Sequence, residues 1–594
     1  MSHQKFNVYQ VFTRLFGITN TEFQPWGTAQ QNGVGKFSDF TDKALQEIQK
    51  LGITHVWYTG VPHHAVIADY NEFGISNDHP SVVKGRAGSP YAVKDYYSVN
   101  PDLADNPANR LQEFEQLIAR THKSDMKVII DIVPNHVARR YEGKNNPEGV
   151  ADFGAEDDTS VVYDRDNNFY YIPEQGFELP DIPQEFTPLG GEAHPDLAEP
   201  FKEFPAKWTG NGSRLAKPEL DDWYETVKVN YGIKPDGNKD FDELPADYAE
   251  KDFKEHFEFW KDKSVPSSWI KFRDIALYWL DKGVDGFRYD MAEMVPVEFW
   301  SFMNSSIKMK NPDAFLMAEV YQPDLYRDYI HLGKMDYLYD KVDLYDALKL
   351  IMQGKASTAS IDPIQQQMLD IEHHMLHFLD NHDEQRVAHP EFAGDAELGR
   401  PAMLVSALLS SAPTMVYFGQ EVGEPGFEDA GFGKPSRTSI FDYVGVPHHQ
   451  RWMNQGEFDG GQLTEKEKQL REFYQELLTF SLQCKSLTGD FEPLYPHNQE
   501  RLGEAAENVY LFARTSEDNE EFVIAATNFS TEQSYQTEIE IPQSLVAKWQ
   551  LEDGEYELKQ NIGEAQSYTL TFQDGVGMLS LDLPPLATLA LTRS

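Results

Sequence analysis

Three carboxylates stand where apolar, β-branched runs break into polar residues. Asp290 ends the run Gly286-Phe-Arg288-Tyr-Asp290, Glu319 ends Met317-Ala-Glu319, and Asp383 ends Phe378-Leu-Asp380-Asn381-His382-Asp383. A fourth run ends Asp131-Ile-Val-Pro-Asn135-His136. One aspartate after a strand is ordinarily a turn former or a helix cap. Three acids arriving from separate strands allow the division of labour that glycosidic bond cleavage requires. One must be ionised to attack or stabilise an oxocarbenium-like centre, and another must stay protonated to supply the leaving oxygen. Arg288 lies two residues before Asp290, hence on the same face of its strand. There its charge would keep Asp290 ionised and its hydrogen bonds would orient it.

The runs that carry these residues belong to a regular series. Strand patterns fall at Asn7–Thr13, Thr54–Val61, Lys127–Val133, Gly286–Tyr289, Phe315–Tyr321, Met335–Tyr339, Met375–Leu379 and Pro413–Phe418. Helical patterns such as Phe40–Leu51, Arg110–Ser124, Ser267–Lys282 and Glu465–Leu482 lie between or after them. Eight buried-type strands with crossover helices predict an α/β fold, a (β/α)8 TIM barrel, whose C-terminal strand ends carry the chemistry. The Pro-, Gly- and acid-rich stretch 138–250 is too long for a loop and is expected to be an inserted subdomain after strand three. The barrel is then built from 1–137 and 251–487. From 488 to 594 half-buried alternation at Val509–Arg514, Glu521–Asn528, Ser567–Phe572 and Met578–Leu583 predicts a C-terminal antiparallel β-sandwich.

The chain of 594 residues has 52 Lys and Arg against 97 Asp and Glu, a formal charge of −45. That charge disfavours nucleic acid and anionic membranes as partners. With 40% apolar and 13% aromatic residues the chain has ample material for a core. The lone Cys484 excludes an intrachain disulfide. The opening MSHQKFNVYQVFTRLFG has no apolar h-region, so a cytoplasmic location is the expectation.

The motifs DIVPNH at 131–136, GFRYD at 286–290, FLMAEV at 315–320 and FLDNHD at 378–383, in that order, resemble glycoside hydrolase family 13, the α-amylase family. Tyr91-Ala-Val-Lys-Asp95 resembles its substrate-stacking segment. The resemblance implies a retaining hydrolase of α-1,4-linked glucans or maltodextrins. Asp290 would be the nucleophile, Glu319 the acid/base and Asp383 the third carboxylate. Arg288, His136 and His382 would serve the sugar in the cleavage subsite, Tyr91 would be its platform, and Asp95 a structural acid. An α-glucosidase, a pullulan- or cyclodextrin-degrading enzyme and an α-glucan transferase are alternatives within the family. A non-catalytic glucan-binding protein is the rival of another class, against which the presence of all three acids and Arg288 speaks. The N-terminal domain through which some relatives dimerise is lacking, which points to a monomer.

The departures are specific. Glu293 and Met294 replace a Lys-His pair of the acceptor side, predicting short substrates and small products. Thr28-Ala-Gln-Gln-Asn-Gly-Val-Gly-Lys36 keeps the glycines of a calcium loop without its acids. Lys36 is expected to take the ion's place there. A second calcium site of the family uses a backbone carbonyl at the position of Met294, and Asn135 is still present. No cofactor is expected, calcium included. The adjacent pairs His63-His64, His373-His374 and His448-His449 do not suit chelation. Asp164-Arg-Asp166 and Asp236-Gly-Asn238 read as turns. Trp208 and Trp223 could either stack on sugars or fill a small core.

Overall fold

The computed structural model describes residues 4–433 and 435–593. Eight parallel strands close into a barrel: β1 Asn7–Phe12, β2 His55–Thr59, β3 Lys127–Ile132, β4 Gly286–Tyr289, β5 Phe315–Ala318, β6 Tyr337–Tyr339, β7 Met375–Phe378 and β8 Thr414–Tyr417. Each pairs with its neighbours in chain order, and β8 returns to β1. All residues of β1, β2, β4, β5, β7 and β8 are buried, which is why these strands read as continuous runs rather than alternations. Gly286 is required by crowding: a Cβ there would lie 2.1 Å from the Phe315 carbonyl oxygen.

The predicted helices are present with small shifts, at Asp42–Lys50, Arg110–Lys123, Ser267–Asp281 and Glu465–Gln483. Thr41 caps the first by accepting from the Ala44 amide, and Thr464 with Glu467 forms a capping box on the last. Among the described residues no helix is long and apolar enough to cross a membrane.

Between β3 and β4 the insertion forms two small antiparallel ladders. His136–Ala138 pairs with Thr226–Lys228, and Tyr171–Ile172 pairs with Ala206–Lys207. Val82, Phe177, Ala206 and Tyr224 make a core of their own beneath it. Asp95 ties its start to the barrel, accepting from the amides of Tyr97 at 2.9 Å and Lys144 at 2.8 Å.

The C-terminal strands β9 Asp490–Pro493, β10 Val509–Thr515, β11 Phe522–Asn528, β12 Tyr535–Ile541, β13 Gly554–Gln560, β14 Ser567–Gln573, β15 Val576–Leu583 and β16 Thr588–Arg593 join in one antiparallel order, β9-β10-β11-β16-β13-β14-β15-β12. β14 and β15 alternate as expected, but β10 and β11 are buried along their whole length. The reason is tertiary: the helix Gly399–Leu408 of the barrel packs on β11, so both faces are covered. Buried Arg514 of β10 locks the junction, donating to Glu372 at 2.8 Å and to the Leu409 carbonyl at 3.0 Å.

Candidate active site

The site is organised around Arg288. Register places it beside Asp131 of β3 and Met317 of β5, at the middle of the barrel mouth. Its Nη1 donates to Asp290 Oδ1 at 2.7 Å, its Nη2 to Glu319 Oε2 at 3.0 Å, and its Nε to the Tyr339 hydroxyl at 3.1 Å. Asp131 Oδ1 lies 3.5 Å from Nη1, and the Trp57 indole donates to Asp131 Oδ2 at 2.9 Å. Arg288 is fully buried, so its charge is compensated only by these acids.

The turn after β4 completes the acid pair. Met291 has the left-handed φ of 45°, and its amide donates to Glu319 Oε2 at 2.9 Å. The Ala292 amide meets the Glu319 carbonyl at 3.0 Å. Glu319 Oε2 therefore receives two donors, from Arg288 and from Met291.

Asp383 has different surroundings. His382 Nε2 lies 3.0 Å from Asp383 Oδ2, and Arg437 Nη1 lies 3.5 Å from Oδ1. The Tyr91 hydroxyl meets the same Nε2, and the Tyr91 ring stacks on the imidazole at 5.1 Å. Gln10 of β1 holds the other side, its amide nitrogen 2.9 Å from His382 Nδ1 and 3.0 Å from Thr59 Oγ1.

These surroundings push the carboxyls apart. Burial, reinforced by the charges of Glu319 and Asp383, lifts Asp290 well above the usual range against the pull of Arg288. Asp383 is buried too, but His382, Arg437 and Arg288 pull it below the usual range. Asp383 is thus the more readily ionised of the two aspartates.

The insertion supplies the opposite wall. His136 Nδ1 lies 3.1 Å from Asn135 Nδ2, and the Trp223 ring is 5.3 Å from the imidazole. Trp223 lines the cleft, whereas Trp208 is buried against Tyr170 at 4.3 Å, so only Trp223 faces substrate space. Lys228 reaches in beside them. Its ammonium donates to Asn135 Oδ1 and, at 3.2 Å, to the Met294 carbonyl. These are the two groups that the resemblance offered to a calcium ion. Lys36, in the loop after β1, donates to the carbonyls of Asp102 and Ala104. Among the described residues no three His, Cys, Asp or Glu side chains are grouped to hold a metal. Asp164 and Asp236 accept from the amides two residues on, as turn formers do.

The result is a cleft of about 380 Å³ lined by Tyr91, His136, Asp290, Glu319 and Asp383, with Tyr321 beside the acid. Arg288 and His382, expected to touch sugar, lie fully buried behind those residues. Gln10, Tyr339, Lys228 and Arg437 were not singled out from the sequence. Only Gln10 carried a local signal, an amide inside the apolar strand Asn7–Phe12.

The chain is similar to known proteins along its length. Against an α-amylase of Streptomyces lividans it is 24% identical over 435 residues, 68% of this chain and 42% of that protein. Against neopullulanase 2 of Thermoactinomyces vulgaris it is 21% identical over 529 residues, 86% of this chain and 67% of that one. The chain thus spans less than half the length of the Streptomyces protein. An α-amylase structure from Geobacillus thermoleovorans, complexed with acarbose, superposes with a TM-score of 0.60 at 18% identity, covering 100% of this chain and 99% of that one. The profile of the α-amylase catalytic domain matches residues 10–177 and 257–475. With well over half of its residues in that match, and the barrel mouth built as described, the chain belongs to the α-amylase family of glycoside hydrolases.

Proposed function

We propose that this chain hydrolyses α-1,4-glucosidic bonds of maltodextrins with retention of configuration. The observation that carries the reading is the shared guanidinium: Arg288 binds Asp290 with one terminal nitrogen and Glu319 with the other. Two carboxyls on one fork are close neighbours, the arrangement a double displacement uses and a water-mediated inversion does not.

In the first step Asp290 attacks the anomeric carbon and the bond to the leaving oxygen breaks. Glu319 gives that oxygen its proton, from Oε1, because Oε2 already accepts from Arg288 and the Met291 amide. In the second step water attacks the glycosyl–Asp290 ester, its proton passes to Glu319, and Asp290 is released. Asp383, lowered, is ionised more readily than Asp290, which burial raises. The mechanism requires a proton on Glu319, beside the leaving group, when substrate is bound. Asp383, ionised, holds sugar hydroxyls. Arg288 and His382 orient the acids from behind, and Tyr91 is the platform. The ammonium groups of Lys228 and Lys36 take the structural role of a cation, so calcium enters no step.

Two measurements on maltohexaose test this. Reducing ends should appear, and proton NMR should show the α-anomer first. A first-formed β-anomer would overturn the retaining mechanism, and no release would overturn the substrate class.

A further inference from the structure

Lys84, from the loop after β2, and Glu225, from the insertion, form an ion pair at 2.7 Å, and both line the cleft. Both side chains are largely buried, 18% and 6% exposed. The pair lies on the His136 side, since Lys84 is among the charges acting on that imidazole. Glu319 and Tyr321, at the end of β5, line the same cleft. A second and larger cavity of about 600 Å³ is walled by Val83, Ala138, Arg139, Asn77 and Phe201 among others. Val83 precedes Lys84 in the chain, and the Arg139 amide donates to the Glu225 carbonyl at 3.3 Å. Backbone neighbours of the pair thus wall the second cavity.

We infer that the Lys84–Glu225 pair terminates the glycone side of the cleft and makes this an enzyme of chain ends, acting on short glucans from the non-reducing terminus. The inference rests on the proposed assignment of Glu319 as the acid. The leaving group must sit beside Glu319, so the retained sugar points the other way, toward His136, Trp223 and the pair. A chain continuing past that sugar would have to part a buried ion pair, which is strongly unfavourable. A terminal sugar instead ends in hydroxyls, and the Lys84 ammonium has further donors for them. Trp223, next but one to Glu225, holds the left-handed φ of 54° and turns its ring toward His136 beside the same wall. The space in front is at the small end of the range of roughly 300–1,000 Å³ for ligand pockets.

The test uses two aryl maltoheptaosides with the same leaving group, one with a free non-reducing end and one blocked there by a cyclic acetal on O4 and O6. The wild-type chain should cleave the free substrate at least about 100-fold faster in kcat/KM than the blocked one. Lys84→Ala with Glu225→Ala, which removes both charges together, should cut that ratio to about 10-fold or less. The exchange Lys84→Glu with Glu225→Lys restores the pair and should keep the wild-type ratio. Equal cleavage of both substrates by wild type overturns the inference while leaving the hydrolase reading intact. Cleavage of neither overturns that reading and this inference with it. An unchanged ratio in the double alanine variant shows that the wall is elsewhere. Should that variant not fold, the wild-type ratio and the exchanged pair decide.

Discussion

Glu293 does not point at an acceptor sugar: its Oε2 accepts the backbone amide of Tyr321 at 2.8 Å and that of Gln322 at 3.1 Å. The segment it holds is the one that leaves β5 directly after Glu319. An acid in place of the family's lysine has thus become a tether for the loop that follows Glu319.

Glu293→Ala should therefore act on the chemistry rather than on binding. Two amides lose their acceptor, which costs about 1–3 kcal/mol if both stay dry. Glu319 then loses its fixed placement, and misplacement of this kind lowers rate steeply. Expected is a fall in kcat of roughly 10–100-fold on maltohexaose with KM within a few-fold. A variant whose KM rises while kcat holds would return Glu293 to the acceptor side.

The two acids of the pair should separate by leaving group. Asp290→Asn removes the attacking charge without changing volume and should cut kcat by roughly 1,000-fold or more on every substrate. Glu319→Gln should be nearly as severe on maltohexaose and much milder on aryl glycosides, whose leaving oxygens need little protonation. Equal losses on both substrate classes would remove the assigned division of labour.

His136 supplies a pH prediction. Burial, with Lys228 and Lys84 nearby, pushes its imidazole down to about 3. The folded value lies below the unfolded one, so the unfolded chain binds a proton that the folded chain refuses. Stability from this group is complete above about pH 6.5 and is lost as pH falls toward 3, at about 1.4 kcal/mol per pH unit. His136→Asn removes the titration. Its stability should decline less than wild type between pH 6.5 and 5.5, by about that amount. The shape of the pH–kcat/KM profile should not change, because a group neutral throughout contributes no limb. A wild-type limb near pH 6.5 that disappears in the variant would contradict this.

How much of this was legible from residues alone depended on range. The eight barrel strands were readable because burial on both faces leaves unbroken apolar runs, and the acids that end β4, β5 and β7 stood out against them. β10 and β11 were misread as half-buried because their cover is tertiary: the helix that packs on β11 lies about a hundred residues away in the chain. Lys228 and Glu225 were illegible for a similar reason. Nothing in the local sequence of the insertion says that one ammonium reaches Asn135 and that one carboxylate meets Lys84. Trp208 and Trp223 look alike in sequence, and only packing against Tyr170 separates the core ring from the cleft ring. Arg288 was placed correctly on the face of Asp290, yet its bond to Glu319 needed the parallel register of β4 with β5.

The last prediction concerns calcium. The ion takes six to eight oxygens, several of them charged. Here Asn135 Oδ1 and the Met294 carbonyl, which join insertion to barrel, are both taken by Lys228, and burial lowers that ammonium only to about 8, so it stays charged at neutral pH. A bound cation would have to enter against this charge. At the loop after β1 the carbonyls of Asp102 and Ala104 are taken by Lys36 in the same way. A specific ion stabilises by RT ln(1 + [L]/Kd), so its removal by chelator would show in a melt. Expected is a melting temperature that moves by less than about 2 °C in excess chelator, with unchanged activity on maltohexaose. Lys228→Met supplies the contrast, leaving Asn135 and the Met294 carbonyl without their donor. It should lower stability by about 1–3 kcal/mol whether or not calcium is added. A fall of ten degrees in chelator, reversed by calcium, would show that an ion is bound elsewhere and that the two lysines do not replace it.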